Sequence, residues 1–213
     1  MKQIYFLIWL LCCMTTVKAQ QKLTGLRVFV NVVSFTEPDG GPALGFEYRI
    51  KNNISAALEG QWILYNMNKY NRENYGFRIT PDVKYFFPGR HQHYKWFFAA
   101  QALYKQVNHY ENYIVPHAEN GTQVYEELVK YEQQKQVFAL GGRFGFQSNF
   151  GGKDEKFFFE ASVGVGLKWK WKHYTQGPPP ETGYKEGDDW FHVDDGGGAL
   201  PDIPFKVRFG YRF

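Results

Sequence analysis

Residues 205–213, Phe-Lys-Val-Arg-Phe-Gly-Tyr-Arg-Phe, alternate strictly between large apolar and polar or small side chains. Successive side chains of a β-strand point to opposite faces, so this period of two predicts a strand with one apolar and one polar face. The apolar face carries Phe205, Val207, Phe209, Tyr211 and Phe213. Because the chain ends on Phe213, we expect the strand to be paired in place, with its last ring at a boundary.

The same alternation recurs along the chain and predicts seven further strands, each bounded by turn residues. Their ranges are 24–34, 43–50, 54–65, 75–87, 94–108, 131–146 and 155–171. In the first of them either parity fits the apolar face, so its facing stays open. Pro81 interrupts the fourth pattern and predicts a β-bulge, because proline cannot donate to the ladder. The result is an all-β chain of eight strands.

The start of the chain has the features of a secretory signal peptide. Lys2 precedes an apolar run over 4–14, and small residues at 17–19 predict cleavage before Gln20. We therefore expect a signal peptide over 1–19 and one domain over 20–213. Both cysteines lie inside the signal peptide, so the mature chain needs no disulfide framework. A lipoprotein would be lipidated at one of them, but Leu10 and Leu11 stand where small residues are expected.

The formal net charge of +4 falls after cleavage, and the basic residues are spread through the strands. This distribution gives no argument for nucleic-acid binding. No apolar run beyond the signal peptide is long enough for a membrane helix. The predicted connectors alternate in length: those over 109–130 and 172–203 are long, whereas the turn at 51–53 is short. Long loops on one rim and short turns on the other are expected of barrels that span an outer membrane.

An eight-stranded barrel has room inside only for a layer of ordinary side chains, so we expect the many large rings outside and the charges inside. The residues predicted to face the lumen are Glu47, Glu59, Arg78, Asp82, Lys84, Arg143, Glu160, Lys168 and Arg208. The rings predicted to form girdles at the two membrane interfaces are Trp62, Tyr75, Tyr85, Trp96, Trp169, Trp171 and Phe213. A soluble, lipocalin-like barrel is the alternative, and it would need the bulky face inside.

The terminal strand and the loop asymmetry resemble the small outer-membrane β-barrels of the porin family, related to outer membrane proteins A and X, over 24–213. This resemblance implies an eight-stranded antiparallel transmembrane β-barrel of the up-and-down type. It also implies an outer-membrane location in a Gram-negative bacterium with both termini periplasmic. The implied partners are outer-membrane lipid, lipopolysaccharide and, through the C-terminal strand, the barrel-assembly machinery; no cofactor is implied.

The function expected from the resemblance is a non-catalytic envelope-structural or surface-interaction role, with an extracellular ligand at the loops over 110–130 and 173–203. A narrow passive channel for small solutes and a lipid-modifying enzyme are the alternatives. The lumenal charges favour pairing within a packed interior over a conduction path. The acidic segment 186–196 lacks the spacing of a Ca²⁺ loop. The six histidines have no serine and acid partners at local spacing, so the sequence names no catalytic or metal site.

Overall fold

The computed structural model describes residues 25–66, 74–88, 94–119, 122–151, 155–175, 184–185 and 199–213. The predicted signal peptide over 1–19 and the acidic segment 186–196 lie outside the described residues. Within those ranges, the structure contains no helix of the length and apolar character that crossing a membrane requires.

Twelve strands and one short 3₁₀ turn, at Val33–Phe35, make up the described chain. The strands are β1 (Leu26–Asn31), β2 (Asp39–Gly40), β3 (Ala43–Lys51), β4 (Ile54–Ile63), β5 (Tyr65–Asn66), β6 (Asn74–Phe86), β7 (Tyr94–Glu119), β8 (Thr122–Phe150), β9 (Phe157–Tyr174), β10 (Tyr184–Lys185), β11 (Ala199–Asp202) and β12 (Phe205–Arg212). The two-residue turn between β3 and β4 lies where the sequence predicts it.

Eight of these strands form a closed ring. Neighbours along the chain pair antiparallel in the order β1, β3, β4, β6, β7, β8, β9 and β12, and β12 returns to β1 through pairs such as Val30 with Phe209. The remaining short strands add to the loop-side rim: β2 pairs with β5, β10 with β7 and β11 with β9. The predicted eight-stranded, up-and-down antiparallel barrel is therefore confirmed. Closure gives every strand of the ring a partner on both sides, which removes the exposed edges of an open sheet.

The two faces of each ring strand differ sharply in exposure. In β6 the odd-numbered positions from Tyr75 to Tyr85 are mostly exposed, whereas Arg78, Thr80, Asp82 and Lys84 are buried. The first strand, whose facing the sequence leaves open, follows the same rule: Arg27, Phe29 and Asn31 point inward. The polar and charged positions therefore form the interior, and the apolar positions form the outer surface.

Two predictions of strand boundaries and irregularities are wrong. The segment 109–130, predicted as a loop, is the distal part of a long β7–β8 hairpin whose ladder continues from His109–Gln133 to Glu119–Thr122. Its polar residues still pair as strands because the backbone ladder continues the register that is set within the ring. Pro81 causes no bulge: it pairs with Leu58, and β6 keeps one register with β7 on both sides of it. Proline removes a donor locally without inserting a residue.

The interior is not purely polar. Phe29, Phe86, Phe97 and Phe158 point inward near the short-turn end and are at most 2% exposed. Side-chain volume predicts large rings outside, and these four are exceptions; glycines on other strands make room for Phe29, Phe97 and Phe158. A Cβ atom on Gly45 would lie 2.2 Å from the ring of Phe29, and one on Gly210 would lie 2.4 Å from that of Phe158.

Candidate functional site

The centre of the lumen holds a carboxylate, Glu59, that is bound by several cations. Arg208 donates to Glu59 Oε2 from Nε at 2.9 Å and from Nη2 at 2.7 Å. Lys206 Nζ donates to the other oxygen at 3.0 Å, and Asn31 Nδ2 does so at 3.2 Å. Arg78 Nη2 lies 3.6 Å from Glu59 Oε1. Since Glu59 is 1% exposed, its charge is balanced by these partners and not by water.

Arg208 extends this cluster to two more carboxylates. Its Nη2 donates to Asp82 at 2.9 Å and its Nη1 to Glu160 at 3.2 Å. Arg143 lies on the other side of Asp82, donating to it at 2.8 Å, and it also donates to Ser162 at 2.6 Å. Asp82 and Glu160 face each other across the barrel from β6 and β9, so one guanidinium ties together strands that are not neighbours.

A third group continues the network toward the short-turn end. Lys84 donates to both Glu47 and Glu160. Arg27 donates to Glu47 at 3.2 Å and to Gln147 at 2.8 Å. The inward phenylalanines line these cations: Lys84 Nζ lies 5.3 Å from the ring centroid of Phe97, and the Arg208 guanidinium lies 4.3 Å from that of Phe29. Cations over aromatic faces gain electrostatic stabilisation, so charged and aromatic side chains together fill the lumen.

The structure therefore brings eight of the nine predicted lumenal residues into one buried network: Glu47, Glu59, Arg78, Asp82, Lys84, Arg143, Glu160 and Arg208. Lys168 differs. It lies nearer the loop-side rim, where its Nζ is 3.5 Å from Asp202 and its side chain is partly exposed.

Lys168 lines a cavity of about 690 Å³ at the loop-side mouth of the barrel. The basic side chains on the described part of its wall are Arg78, Lys105, Lys135, Lys168, Lys170, Lys172 and Lys206, and the acidic ones are Glu37, Asp39 and Asp202. The floor of the cavity is the ion network, because Arg78 and Lys206 belong to both. We call this space the basic vestibule.

The connector between β1 and β3 folds into the vestibule. Gln61 Nε2 donates to the carbonyl of Ser34 at 3.1 Å, and Arg78 Nη1 donates to Glu37. Asp39 accepts from Lys105 at 2.6 Å and from Lys135 at 2.7 Å. Burial of Asp39 opposes its ionisation, but these two ammonium groups outweigh it and hold the pKa of the carboxyl below its usual range. The connector is thus fastened across the mouth by ion pairs.

On the outer surface, six of the seven predicted girdle residues are exposed by more than two fifths: Trp62, Tyr75, Tyr85, Trp96, Trp171 and Phe213. Trp169 is half-buried because it packs on Phe138, with ring centroids 6.0 Å apart. Beyond the aromatic rings at the loop-side end of the barrel, the outer surface becomes polar. Tyr75 donates to Glu132 at 2.7 Å, and Asn108 donates to both Tyr75 and Glu132 at 3.0 Å.

Sequence reasoning missed Arg27, Gln147 and Lys206 in the lumen and Asp39, Lys105 and Lys135 in the vestibule. Lys206 could have been predicted to face the lumen, because it lies two positions before Arg208 and therefore on the same face of β12. Asp39 could not have been found, since its place depends on how a connector folds back.

Among the described residues, no three histidine, cysteine or acidic side chains come together as metal ligands. Of the histidines considered as catalytic candidates, His117 lies near the tip of the β7–β8 hairpin. Its Nε2 is 2.9 Å from Glu127, and its ring stacks on Tyr125 with centroids 4.6 Å apart. His91, His93 and His192 lie outside the described residues.

Fold and site together define a closed eight-stranded barrel with an ionised, packed lumen and an apolar outer surface. The chain belongs to a family described as Protein of unknown function (DUF3575), which it matches over residues 5–192. No curated protein matches it. Among solved structures it is similar to the N-terminal β-barrel domain of Pseudomonas aeruginosa OprF, at 13% identity and a TM-score of 0.44, over 91% of this chain and 100% of that one.

Proposed function

We propose that this protein spans the outer membrane of a Gram-negative bacterium as a plugged β-barrel with an envelope-structural and surface-interaction role. The observation that carries the proposal is the inverted distribution of side chains. Leu44, Phe46 and Val165 are more than half exposed on the outside, whereas Glu59, Arg143 and Arg208 are at most 1% exposed within. Exposed apolar surface on this scale is costly in water and favourable in lipid.

The height of the apolar band supports this placement. Along β7 the outward side chains from Tyr94 to Tyr104 are apolar or aromatic, and Gln106 and Asn108 follow. About ten residue steps of roughly 3.4 Å, tilted by about 40°, give a band of roughly 26 Å, close to the band of about 25 Å that outer-membrane barrels present to lipid. Lipid and lipopolysaccharide are then the partners of this surface, and the short-turn end with both termini faces the periplasm.

The lumenal network supports a structural role over an open passage. Glu59, Asp82, Glu160, Arg143, Lys84 and Arg208 have side chains with no exposure, and they lie on strands from opposite sides of the ring. An aqueous channel needs a continuous wet path past its charged groups. In this barrel most of the charged groups pair with one another, which favours a stable plug.

The test combines two measurements on protein refolded in detergent. A folded barrel should migrate differently on a gel before and after boiling, and its reconstitution into planar bilayers should give no steady conductance. A heat-dependent shift with steady conductance would replace the structural role by the channel alternative. A protein that stays soluble without detergent and shows no shift would overturn the membrane placement.

The surface-interaction role is assigned to the part of the β7–β8 hairpin beyond the barrel. Tyr125 and Leu128 lie there with more than half of their side-chain surface exposed. Replacing 111–129 by a two-residue turn should leave the heat-dependent shift intact, because these residues contribute nothing to the closed ring. Cells that display the shortened barrel should lose the self-aggregation or surface adhesion that the full chain confers, measured by sedimentation and by binding to coated plates. Equal adhesion by both forms would refute the assignment.

A catalytic role is not part of the proposal. Mass spectrometry of lipid A and phospholipids from cells that overproduce the protein provides the check, and we expect unchanged profiles. A new lipid species that disappears on His117→Ala would bring back the enzyme alternative.

A further inference from the structure

The basic vestibule carries more positive charge than its own acids neutralise. Its described wall has seven basic side chains against three acidic ones. Lys206 is paired with Glu59 below, and Asp39 is shared between Lys105 and Lys135. Lys170 has no carboxylate within ion-pair distance in the described part of the chain. Excess charge in a concave, low-dielectric site raises the local concentration of counter-ions.

The strand registers explain why these cations converge. Arg78 on β6 is directly opposite Lys105 on β7, Lys105 is opposite Val137 on β8, and Val137 is opposite Lys170 on β9. Lys135 and Lys172 form the next pair toward the rim, and Lys168 lies opposite Ala139 on the side of the network. Like charges opposite one another destabilise a sheet. Two of these pairs, Arg78 with Lys105 and Lys135 with Lys172, place like charges directly opposite one another and therefore oppose folding unless anions lie between them.

A second observation concerns Arg78, which is 6% exposed and lines the cavity. Its Nη1 donates to Glu37, whereas its Nε and Nη2 have no hydrogen-bond partner among the described residues, Nη2 lying 3.6 Å from Glu59 Oε1. A buried guanidinium N–H group that makes no hydrogen bond lowers the stability of the folded protein. The side-chain Oε1 of Gln101, on the same wall, also accepts no hydrogen bond from any residue of the described ranges. The guanidinium fork matches the spacing of two oxygens on a phosphate or carboxylate.

We propose that the basic vestibule binds a soluble small molecule that carries at least two phosphate or carboxylate groups, held by Arg78 on one wall and Lys170 on the other. The cavity of about 690 Å³ is within the range of small-molecule sites. The binding side chains point into the barrel, so the ligand enters from the aqueous mouth and not from the surrounding lipid. Glu37 and Asp39 act as built-in competitors that keep the empty site folded. This binding site rests on the barrel fold of the proposed function and is independent of the adhesion role.

The experiment is isothermal titration calorimetry of the full refolded chain in zwitterionic detergent, with inorganic pyrophosphate as the probe. We expect saturable one-to-one binding that weakens as NaCl is added. Arg78→Gln and Lys170→Gln should each raise the dissociation constant about tenfold or more, the value of one charge-assisted hydrogen bond. Lys130→Gln is the matched control: it removes the same charge from the exposed hairpin and should change nothing.

Lys170→Gln keeps the test decisive if Arg78→Gln folds poorly, because Lys170 makes no ion pair with the described residues that folding would lose. Gel mobility before and after boiling verifies that each variant is folded. The proposal would be overturned if binding did not saturate at millimolar pyrophosphate. It would also be overturned if Lys130→Gln lost as much affinity as Arg78→Gln and Lys170→Gln. A third arm adds phosphatidylglycerol to the micelles: displacement of pyrophosphate by this lipid would overturn the assignment to a soluble ligand, whereas unchanged affinity supports it.

Discussion

Replacing Arg208 by methionine tests whether the lumenal network stabilises the barrel. The arginine donates four hydrogen bonds, to Glu59, Asp82 and Glu160, at 2.7 to 3.2 Å. Methionine fills most of the same volume but leaves the three carboxylates without their shared cation. Removing one partner of a buried ion pair costs about 3–5 kcal/mol.

We expect the lower end of this range, because each carboxylate keeps another cation. Glu59 retains Lys206, Asp82 retains Arg143, and Glu160 retains Lys84. A loss of about 3 kcal/mol, divided by a urea dependence of about 1–3 kcal/mol per molar, lowers the unfolding midpoint by roughly 1–3 M. The assay is urea unfolding in lipid vesicles, followed by tryptophan fluorescence and by gel mobility.

Two further variants serve as a control and as a test of coupling between Arg208 and Glu59. Lys51→Met at the exposed short-turn end should leave the midpoint unchanged. The double variant Arg208→Met with Glu59→Gln should be less destabilised than the sum of the single changes by about 1–3 kcal/mol, since neutralising Glu59 removes part of the unpaired charge. An unchanged midpoint in Arg208→Met, or strict additivity in the double variant, would refute the view that the network works as a unit.

Three other outcomes follow from the same geometry. Leu140→Arg on the lipid-facing side of β8 should cost about 2–4 kcal/mol in vesicles, whereas Gln134→Arg, beyond the apolar band, should cost far less; equal urea midpoints would contradict the membrane placement. Asp39 has a lowered pKa, so its contribution is present above its unfolded pKa of about 3.9 and is lost as pH falls toward the folded value. Hydrogen-exchange protection of 33–42 should therefore drop below about pH 4, and Asp39→Asn should remove that dependence. Gly164→Ala should destabilise by about 1–3 kcal/mol, because the new Cβ would lie 2.1 Å from the carbonyl oxygen of Gly142, whereas Gly60→Ala meets nothing within 4 Å; denaturation midpoints compare the two.

The terminal strand shows how far alternation carries a fold prediction. On β12, Lys206 and Arg208 are buried while Phe205 and Phe209 are exposed, as a period of two requires. Choosing the charged face as the interior needed only the volume of an eight-stranded barrel. Phe29 and Phe158 nevertheless point inward, although the volume of each side chain taken alone predicts an outward position. Their space is created by glycines on other strands, and such pairings depend on register.

The β7–β8 hairpin marks a second limit. Its outer half has no apolar alternation, so period analysis took 109–130 for a loop, yet its backbone ladder extends to Glu119 and Thr122. A hairpin that begins in a barrel can continue beyond it, because the pairing of the two strands within the ring already sets their register.

By itself the sequence determined the number of strands in the ring, the inward and outward faces of all of them but the first, and the identity of most lumenal charges, since these follow from local alternation and side-chain volume. Only the tertiary structure decided which charges meet. Arg208 binds Asp82 across 126 positions of the chain, and Asp39 reaches Lys135 across 96. Such contacts depend on barrel closure and strand stagger, which bring distant residues to one level of the lumen. The vestibule is the clearest case, because its cations come from separate strands and its counter-ions from a folded-back connector.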